Sequence, residues 1–394
     1  MKTVKSRLVL NFPGFEPTTA LAQLDRLKHG AQKTGEIWGF KFDRANADHE
    51  VDANFAVSES TTTGANWETK TRLIQFSWND IIADYENASY PGNLITNLPK
   101  YLVFFIDGSV MKYLKASKRY FGFTIYPILF VGIFAWISWM LASYLGFGVI
   151  LTSLVALAIL LIIFRWPGDR FYLNLSVNDW AFARDMVNEA NPRIEARYVE
   201  FSDIIAREIG SDEYDEILIV GHSFGAVWAA TALAKALEAN NKLLSKKTVV
   251  FLALGSSIPK IGLVKNAQFM RDNLARIMAE KNLFWHEIQT KVDIIAFYKS
   301  DPFEQMGITN MVAPYLIDRV NYKDAMEPKR YKKMKRSFYT THRQYILYQD
   351  KRVHFDFMLR CFGPFNSKEL ALDQQLCEAM DKQGNLVAVR NTNV

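Results

Sequence analysis

From Phe121 to Phe164 the chain carries no charged residue. No other feature limits its fold as much. As helix this run is roughly 66 Å long, at about 1.5 Å per residue. The hydrocarbon core of a bilayer is about 30 Å thick. One crossing leaves too much chain over, whereas two crossings joined by a tight turn fit. Tyr144-Leu145-Gly146-Phe147-Gly148 supplies the turn, because two glycines interrupt the apolar run there. Tyr120, Phe121, Tyr144, Phe147 and Trp166 cluster near the ends and the turn, as aromatic belts do at membrane–water interfaces. The two helices are expected over about 121–143 and about 147–166.

Lys112, Lys115, Lys118 and Arg119 precede the run, Arg165 and Arg170 follow it, and the turn has no basic residue. Positive charge stays on the cytoplasmic side of a membrane. The expectation is a multi-pass anchor in the inner (plasma) membrane, with the lipid bilayer as partner and both soluble parts in the cytoplasm. Two other arrangements stay open: a re-entrant hairpin dipping into one leaflet, and a helical hairpin buried in a soluble core. A soluble helix normally shows a polar stripe, and this run has none.

Hydrophobic residues are 49% and charged residues 22%, which excludes a disordered chain. The net charge of +6 suits either nucleic acid or an anionic membrane. The charge distribution favours the membrane. The tract KRYKKMKR, from Lys329 to Arg336, reads as a solvated face or as a membrane-surface patch, each basic residue near an anionic leaflet contributing about 1 kcal/mol. No nucleic-acid partner is expected. Two cysteines, Cys361 and Cys377, provide neither a disulfide framework nor a zinc spacing. The N-terminal MKTVKSRLVLNFPG lacks the apolar core and cleavage site of a secretory signal. No phosphate loop, dinucleotide fingerprint or metal-ligand cluster is found, so no cofactor and no metal are expected.

Outside the apolar run, strands alternate with helices. Strands are expected at 7–12, 36–42, 71–77, 216–220, 248–254 and 284–289, with a last one near 337–341. Helices are expected at 18–32, 177–189, 195–209, 224–239 and 264–281, and Ser58–Gly64 reads as a polar loop. The pattern predicts an α/β fold, a mostly parallel sheet with helices on both faces. The hairpin, within 111–170, then interrupts one domain whose two parts are 1–110 and 171–394.

The strand at 216–220 runs into ILIVGHSFGA, residues 217–226. A Gly-x-Ser-x-Gly match alone is weak. Here an aliphatic run precedes it and an alanine-rich helix follows, the strand–turn–helix setting that presents a nucleophilic serine. Gly221 and Gly225 avoid collisions between the turn and its neighbours. The helix N-terminus favours negative charge forming beside Ser223. The competing reading is a tight turn that happens to carry a serine.

With GHSFG at 221–225, FPGF at 12–15 and this strand order, the chain resembles the α/β-hydrolase superfamily in its lipase and esterase branch. The resemblance covers most of the chain outside 110–170. More narrowly, FPGFEP, WHEIQTKVDIIAFYKSDP at 285–302 and THRQY at 341–345 resemble bacterial membrane-anchored α/β-hydrolases of poorly defined substrate. The resemblance implies a serine hydrolase whose functional residues run Ser, then Asp or Glu, then His. Of six histidines, His29, His49 and His286 come too early. His222 is beside the nucleophile and cannot reach round to it, so packing or a supporting hydrogen bond is its expected role. His342 is the expected base and His354 the alternative.

Asp293, just past the strand 284–289, is the expected acid, because catalytic side chains gather at the carboxyl ends of such strands. Asp301 is the alternative, since 292–298 can itself be a strand. The structural readings are a helix N-cap for Asp293 and a turn residue before Pro302 for Asp301. The oxyanion hole takes one N–H from Phe224 and, by analogy with the family, one from Phe15, where Gly14 lets the backbone approach. The implied reaction is cleavage of a carboxylic ester or thioester of a lipophilic acyl substrate. A hydrolase-like scaffold or regulator without catalysis is the alternative.

Overall fold

The computed structural model describes residues 3–44, 49–52, 54–87, 90–188, 191–211 and 213–387. The side chains at 163–170 are outside the described set, and with them Arg165, Trp166 and Arg170 of the expected hairpin flank. Among the described residues nine strands form one sheet: β1 (Ser6–Phe12), β2 (Lys41–Arg44), β3 (His49–Asp52), β4 (Phe55–Thr63), β5 (Glu68–Phe76), β6 (Glu216–His222), β7 (Val249–Leu254), β8 (Leu283–Thr290) and β9 (Tyr315–Val320). Their order is β2-β4-β5-β1-β6-β7-β8-β9, with β3 also on β4. From β5 through β9 every neighbouring pair is parallel. β4 runs antiparallel to β5, and β2 and β3 run antiparallel to β4.

The central strands are apolar throughout because both faces are covered. Leu8, Leu10, Phe12, Ile217 and Ile219 point into one core, and Val9, Leu218 and Val220 into the other. Helix α1 (Ala20–Trp38) and the C-terminal helix Phe357–Phe362 cover the second core. The chain between β5 and β6 is helical: α2 (Asn79–Glu86), α3 (Tyr90–Ile106), α4 (Ser109–Ala116), α5 (Lys118–Ser143), α6 (Val149–Arg170), α7 (Leu173–Asn188) and α8 (Pro192–Gly210). Residues of α2, α3, α4, α7 and α8 join α9 (Phe224–Ala239) over the first core. Arg7 and Glu216, both buried, pair across β1 and β6 at 2.5 Å. They also hold the C-terminal segment, through Arg7 to the Phe365 carbonyl and Ser367 N–H to Glu216.

Within the apolar run, α6 packs along α5. Among the described residues α5 alone is long and apolar enough to cross a membrane, with a mean hydropathy of 1.9. α6 contributes a shorter apolar stretch, Val149–Ile162. Both helices turn apolar side chains outward: Trp136 is 65% exposed, Ile150 81% and Ile162 68%. The packed core of a soluble domain does not leave so much apolar surface uncovered. Among the described residues of α5, Tyr120 and Phe123 at its root join the core of the sheet domain, with Phe121 and Ile128 packed against it.

Three local expectations are corrected. The strand expected at 36–42 begins only at Lys41, as β2: α1 continues to Trp38 and ends at Gly39, whose φ of 80° caps the helix. The buried spacing of Leu24, Leu27, Ala31 and Trp38 is helical and overrides the β-prone Ile37 and Phe40. Residues 58–63, expected as a loop, belong to β4, where Thr62 is buried and the polar run pairs with β2 and β5. Residues 337–341 are not a strand either. The Ser337 side chain caps the helix Phe338–Arg343 by accepting from Thr340 N–H. The last strand is β9, which the sequence reading missed because it is a short, half-exposed edge without clear alternation.

Candidate active site

The loops after β1, β6 and β8 meet at the carboxyl end of the sheet, where open α/β sheets bind ligands. Ser223 ends β6 with φ 55° and ψ −123°, a conformation that a residue with a side chain adopts only under constraint. The constraint is close packing. A Cβ at Gly221 would lie 2.3 Å from Ala226 Cα, and one at Gly225 would lie 2.0 Å from the Phe12 carbonyl oxygen. The absence of both side chains lets α9 start directly against β1. Ser223 therefore sits at the N-terminal end of α9, where the helix dipole is positive.

His342 and Asp293 come together beside it. His342 Nδ1 lies 2.7 Å from Asp293 Oδ2. Asp293 is fully buried, and its second oxygen accepts the Ile295 N–H at 2.9 Å. This leaves His342 with the Nδ1–H tautomer and a lone pair on Nε2. That Nε2 is buried and has no hydrogen-bond partner among the described residues. Ser223 Oγ lies 3.2 Å from Ser257 Oγ, not in a hydrogen bond to His342. Both Ser223 and His342 line the same narrow cleft, of about 50 Å³. Contacts between a serine and its base commonly tighten only when substrate is bound.

His222 donates from Nε2 to the His342 carbonyl at 3.0 Å. Burial, reinforced by the neighbouring His342, drives its pKa well below the ordinary histidine value. It is a neutral tie between the turn and the His342 segment. Opposite it, a Cβ at Gly14 would lie 3.0 Å from Ser223 Cβ and 3.1 Å from His222 Nδ1. The Pro13-Gly14-Phe15 backbone thus passes directly over Ser223, held there by Trp78 Nε1 donating to the Pro13 carbonyl at 3.2 Å. Among the described residues no protein acceptor engages the N–H of Phe15 or of Phe224. Backbone donors without a protein acceptor are what a developing oxyanion requires.

The cleft walls have two characters. Phe123 from α5, Leu175 from α7, Ile295 and Phe338 are apolar. Glu16, Asp179 and Arg343 are charged. Glu16 Oε1 accepts from Arg26 at 2.6 Å and from Arg343 at 3.0 Å. Burial pushes its carboxyl up, but the two guanidiniums outweigh burial and hold it below its ordinary value. Asp179 pairs with the buried Lys260, whose ammonium lies 4.0 Å from the Trp180 ring centre and 4.9 Å from that of Phe224. Burial lowers the Lys260 pKa against the opposing pull of Asp179.

The alternative residues lie elsewhere. Asp301 caps the helix Pro302–Met306, accepting from the N–H groups of Phe303 and Glu304, and takes the Tyr315 hydroxyl at 2.9 Å. His354 faces Asp318 at 3.7 Å, together with His286 at 3.6 Å, and neither lines the Ser223 cleft. Ser257, Arg26, Asp179 and Lys260 were not singled out from sequence. Glu16 and Arg343 are chain neighbours of the singled-out Phe15 and His342, and that adjacency was the one available signal. Among the described residues no group of three or more His, Cys, Asp or Glu is arranged to hold a metal ion. Compared with protein-family models, with curated proteins and with solved structures, the chain matches none.

Proposed function

We propose that the chain is a membrane-anchored serine hydrolase of the α/β-hydrolase type, cleaving carboxylic ester or thioester bonds of an apolar acyl or lipid substrate. The observation that carries this reading is the Asp293–His342 pair at 2.7 Å, with an unpartnered Nε2 in the same cleft as the constrained Ser223. In the proposed reaction, Ser223 Oγ attacks the carbonyl carbon while His342 Nε2 takes its proton. The carbonyl oxygen becomes an oxyanion held by the Phe15 and Phe224 N–H groups. His342 then protonates the departing alcohol or thiol, leaving an acyl-serine. Water, deprotonated by the same imidazole, releases the acid and restores Ser223. Asp293 holds the tautomer and stabilises the imidazolium.

α5 and α6 form the membrane hairpin in this reading, with the soluble parts facing the cytoplasm. The outward apolar surface of both helices supports it. So does the cleft, whose wall includes Phe123 at the root of α5 and Leu175 just after α6. An acyl chain leaving the bilayer along α5 would reach Ser223 without crossing water.

Labelling with a fluorophosphonate probe tests the chemistry. Wild-type protein labels, and Ser223→Ala does not. A panel of acyl esters of graded length then ranks the chain. The non-catalytic reading, a membrane scaffold, has one observation in its favour: Ser223 Oγ is engaged by Ser257 rather than by His342. Failure of the wild type to label would establish that reading instead. A cysteine placed at Leu145 reports topology. It reacts with an impermeant reagent outside the cell if the hairpin crosses fully, and is protected if the hairpin is re-entrant or buried.

A further inference from the structure

A second cleft, of about 370 Å³, opens at the foot of α5. It is lined by Lys112 and Lys115 from α4, by Lys265 and Arg271, and by Gln305. No carboxylate is among its lining residues. Arg271 is fully committed: its guanidinium donates to the carbonyls of Gly262, Val264 and Lys265 and to Gln268 Oε1. It shapes the 262–265 loop and adds charge, but has no donor to spare. Lys112 gives one bond, to the Leu263 carbonyl at 2.9 Å. Lys115 and Lys265 have no carboxylate within ion-pair distance among the described residues. The cleft therefore concentrates positive charge around open space, with free donors from three lysines and an amide.

Its location narrows the ligand. Lys115 stands just before Ser117, whose side chain caps the start of α5. If α5 enters the bilayer, the cleft lies at the level of the cytoplasmic head groups. We propose that this cleft binds a phosphate-bearing head group, taking the phosphate oxygens on Lys112, Lys115 and Lys265. A phosphate needs several ammonium or amide donors converging on one anion, and this cleft supplies them away from Ser223. It also touches the reaction site indirectly. The five-residue helix Ile258–Gly262 runs from Ser257, which bonds Ser223, to the 262–265 loop. The site is independent of catalysis, so Ser223→Ala keeps the binding and failure here is distinct from failure of the hydrolase reading.

The test uses the full chain in neutral detergent. Binding is measured to vesicles of phosphatidylcholine alone, to vesicles with phosphatidylglycerol added, and to sn-glycerol 3-phosphate in solution. The double variant Lys115→Gln/Lys265→Gln is compared with Lys329→Gln/Lys332→Gln in the other basic tract. Each lysine near an anionic surface is worth about fivefold in affinity, so the first variant loses about 25-fold towards anionic vesicles and the second loses much less. Saturable binding of sn-glycerol 3-phosphate that the first variant also loses assigns the site to soluble phosphate esters. Binding only to phosphatidylglycerol vesicles assigns it to lipid. Equal binding to neutral and anionic vesicles, or equal losses in the two double variants, overturns the proposal.

Discussion

Glu16 follows Phe15, a proposed oxyanion donor, and Arg343 follows His342, the proposed base. The Glu16 carboxylate bonds Arg343 at 3.0 Å and Arg26 of α1 at 2.6 Å, so one group sets the spacing between donor and base. Glu16→Gln keeps the shape and removes the charge. Hydrogen bonds to charged groups contribute about 1.5–3 kcal/mol each. Arg343 is 32% exposed, so its share belongs near the bottom of that range. The expected stability loss is about 2–4 kcal/mol. The kinetic effect is larger than that of a typical surface pair. Losing one oxyanion donor outright lowers kcat about 10²–10³-fold, and loosening it should lower kcat about 10–100-fold. KM should change less than about threefold, because the acyl wall is untouched. The assay is steady-state hydrolysis of a short acyl ester at a temperature where melting curves show the variant folded. Arg343→Gln should give a similar loss, and the double variant should be no worse than the weaker single variant, since the pair acts as one unit. Unchanged kcat with a lowered melting temperature, or losses that multiply, would show that Glu16 merely holds the fold.

Further outcomes are expected, each with its own readout. Asp293→Asn should lower kcat by about 10⁴-fold by releasing the wrong His342 tautomer. Asp301→Ala should leave kcat alone and cost about 0.5–2 kcal/mol as a lost helix cap, read by thermal melting. Gly14→Ala should fold but lose activity, as its Cβ would press on Ser223 Cβ at 3.0 Å; Gly225→Ala, 2.0 Å from the Phe12 carbonyl, should not yield folded protein. Glu216→Gln strands the buried Arg7 guanidinium, a loss of about 3–5 kcal/mol that a melting-temperature comparison detects. The share of stability that the buried histidines contribute should fall in acid. Burial holds His286 at about 4 against an ordinary 6.5, and drives His222 down too. Below pH 6.5 the unfolded chain binds protons that the folded chain refuses. This stability is complete above pH 6.5 and is lost as pH falls towards about 4. Glu287 and Asp356, raised by burial to about 8 and about 6, act in the opposite direction over the same window, so the readout is the difference between wild type and His286→Phe: the variant should lose less melting temperature towards acid, and identical slopes would contradict the assignment.

What could be read from the sequence depended on the range of the forces involved. β6 and the start of α9 were legible because their signals are local: Ile217 to Val220 are apolar on both faces, and the flanking glycines mark the turn. α1 was misread at its end because Ile37 and Phe40 look like strand residues when taken singly. Leu24, Leu27 and Ala31, a turn or more away, decide the matter by burying the same face. β9 escaped notice because a short edge strand, partly exposed on both faces, carries no clear alternation. Around Ser223, chain order narrowed the histidines to His342 and His354 and a strand's carboxyl end pointed to Asp293; the structure brings Asp293 and His342 together, although His342 reaches the cleft from a helix rather than from a strand end.

The supporting contacts were invisible for a different reason. Glu16 and Arg343 are 327 positions apart, and Ser223 and Ser257 are 34 apart. No periodicity links such pairs; only the order of strands in the sheet does, by laying the loops after β1, β6 and β8 side by side. A residue beside a recognisable one is therefore the best place to look for hidden partners. Glu16, next to Phe15, and Arg343, next to His342, are held near the cleft by backbone that the neighbouring residue already fixes. Glu16 is buried between two guanidiniums, which makes its charge a probe of how tightly this fold sets the geometry around Ser223.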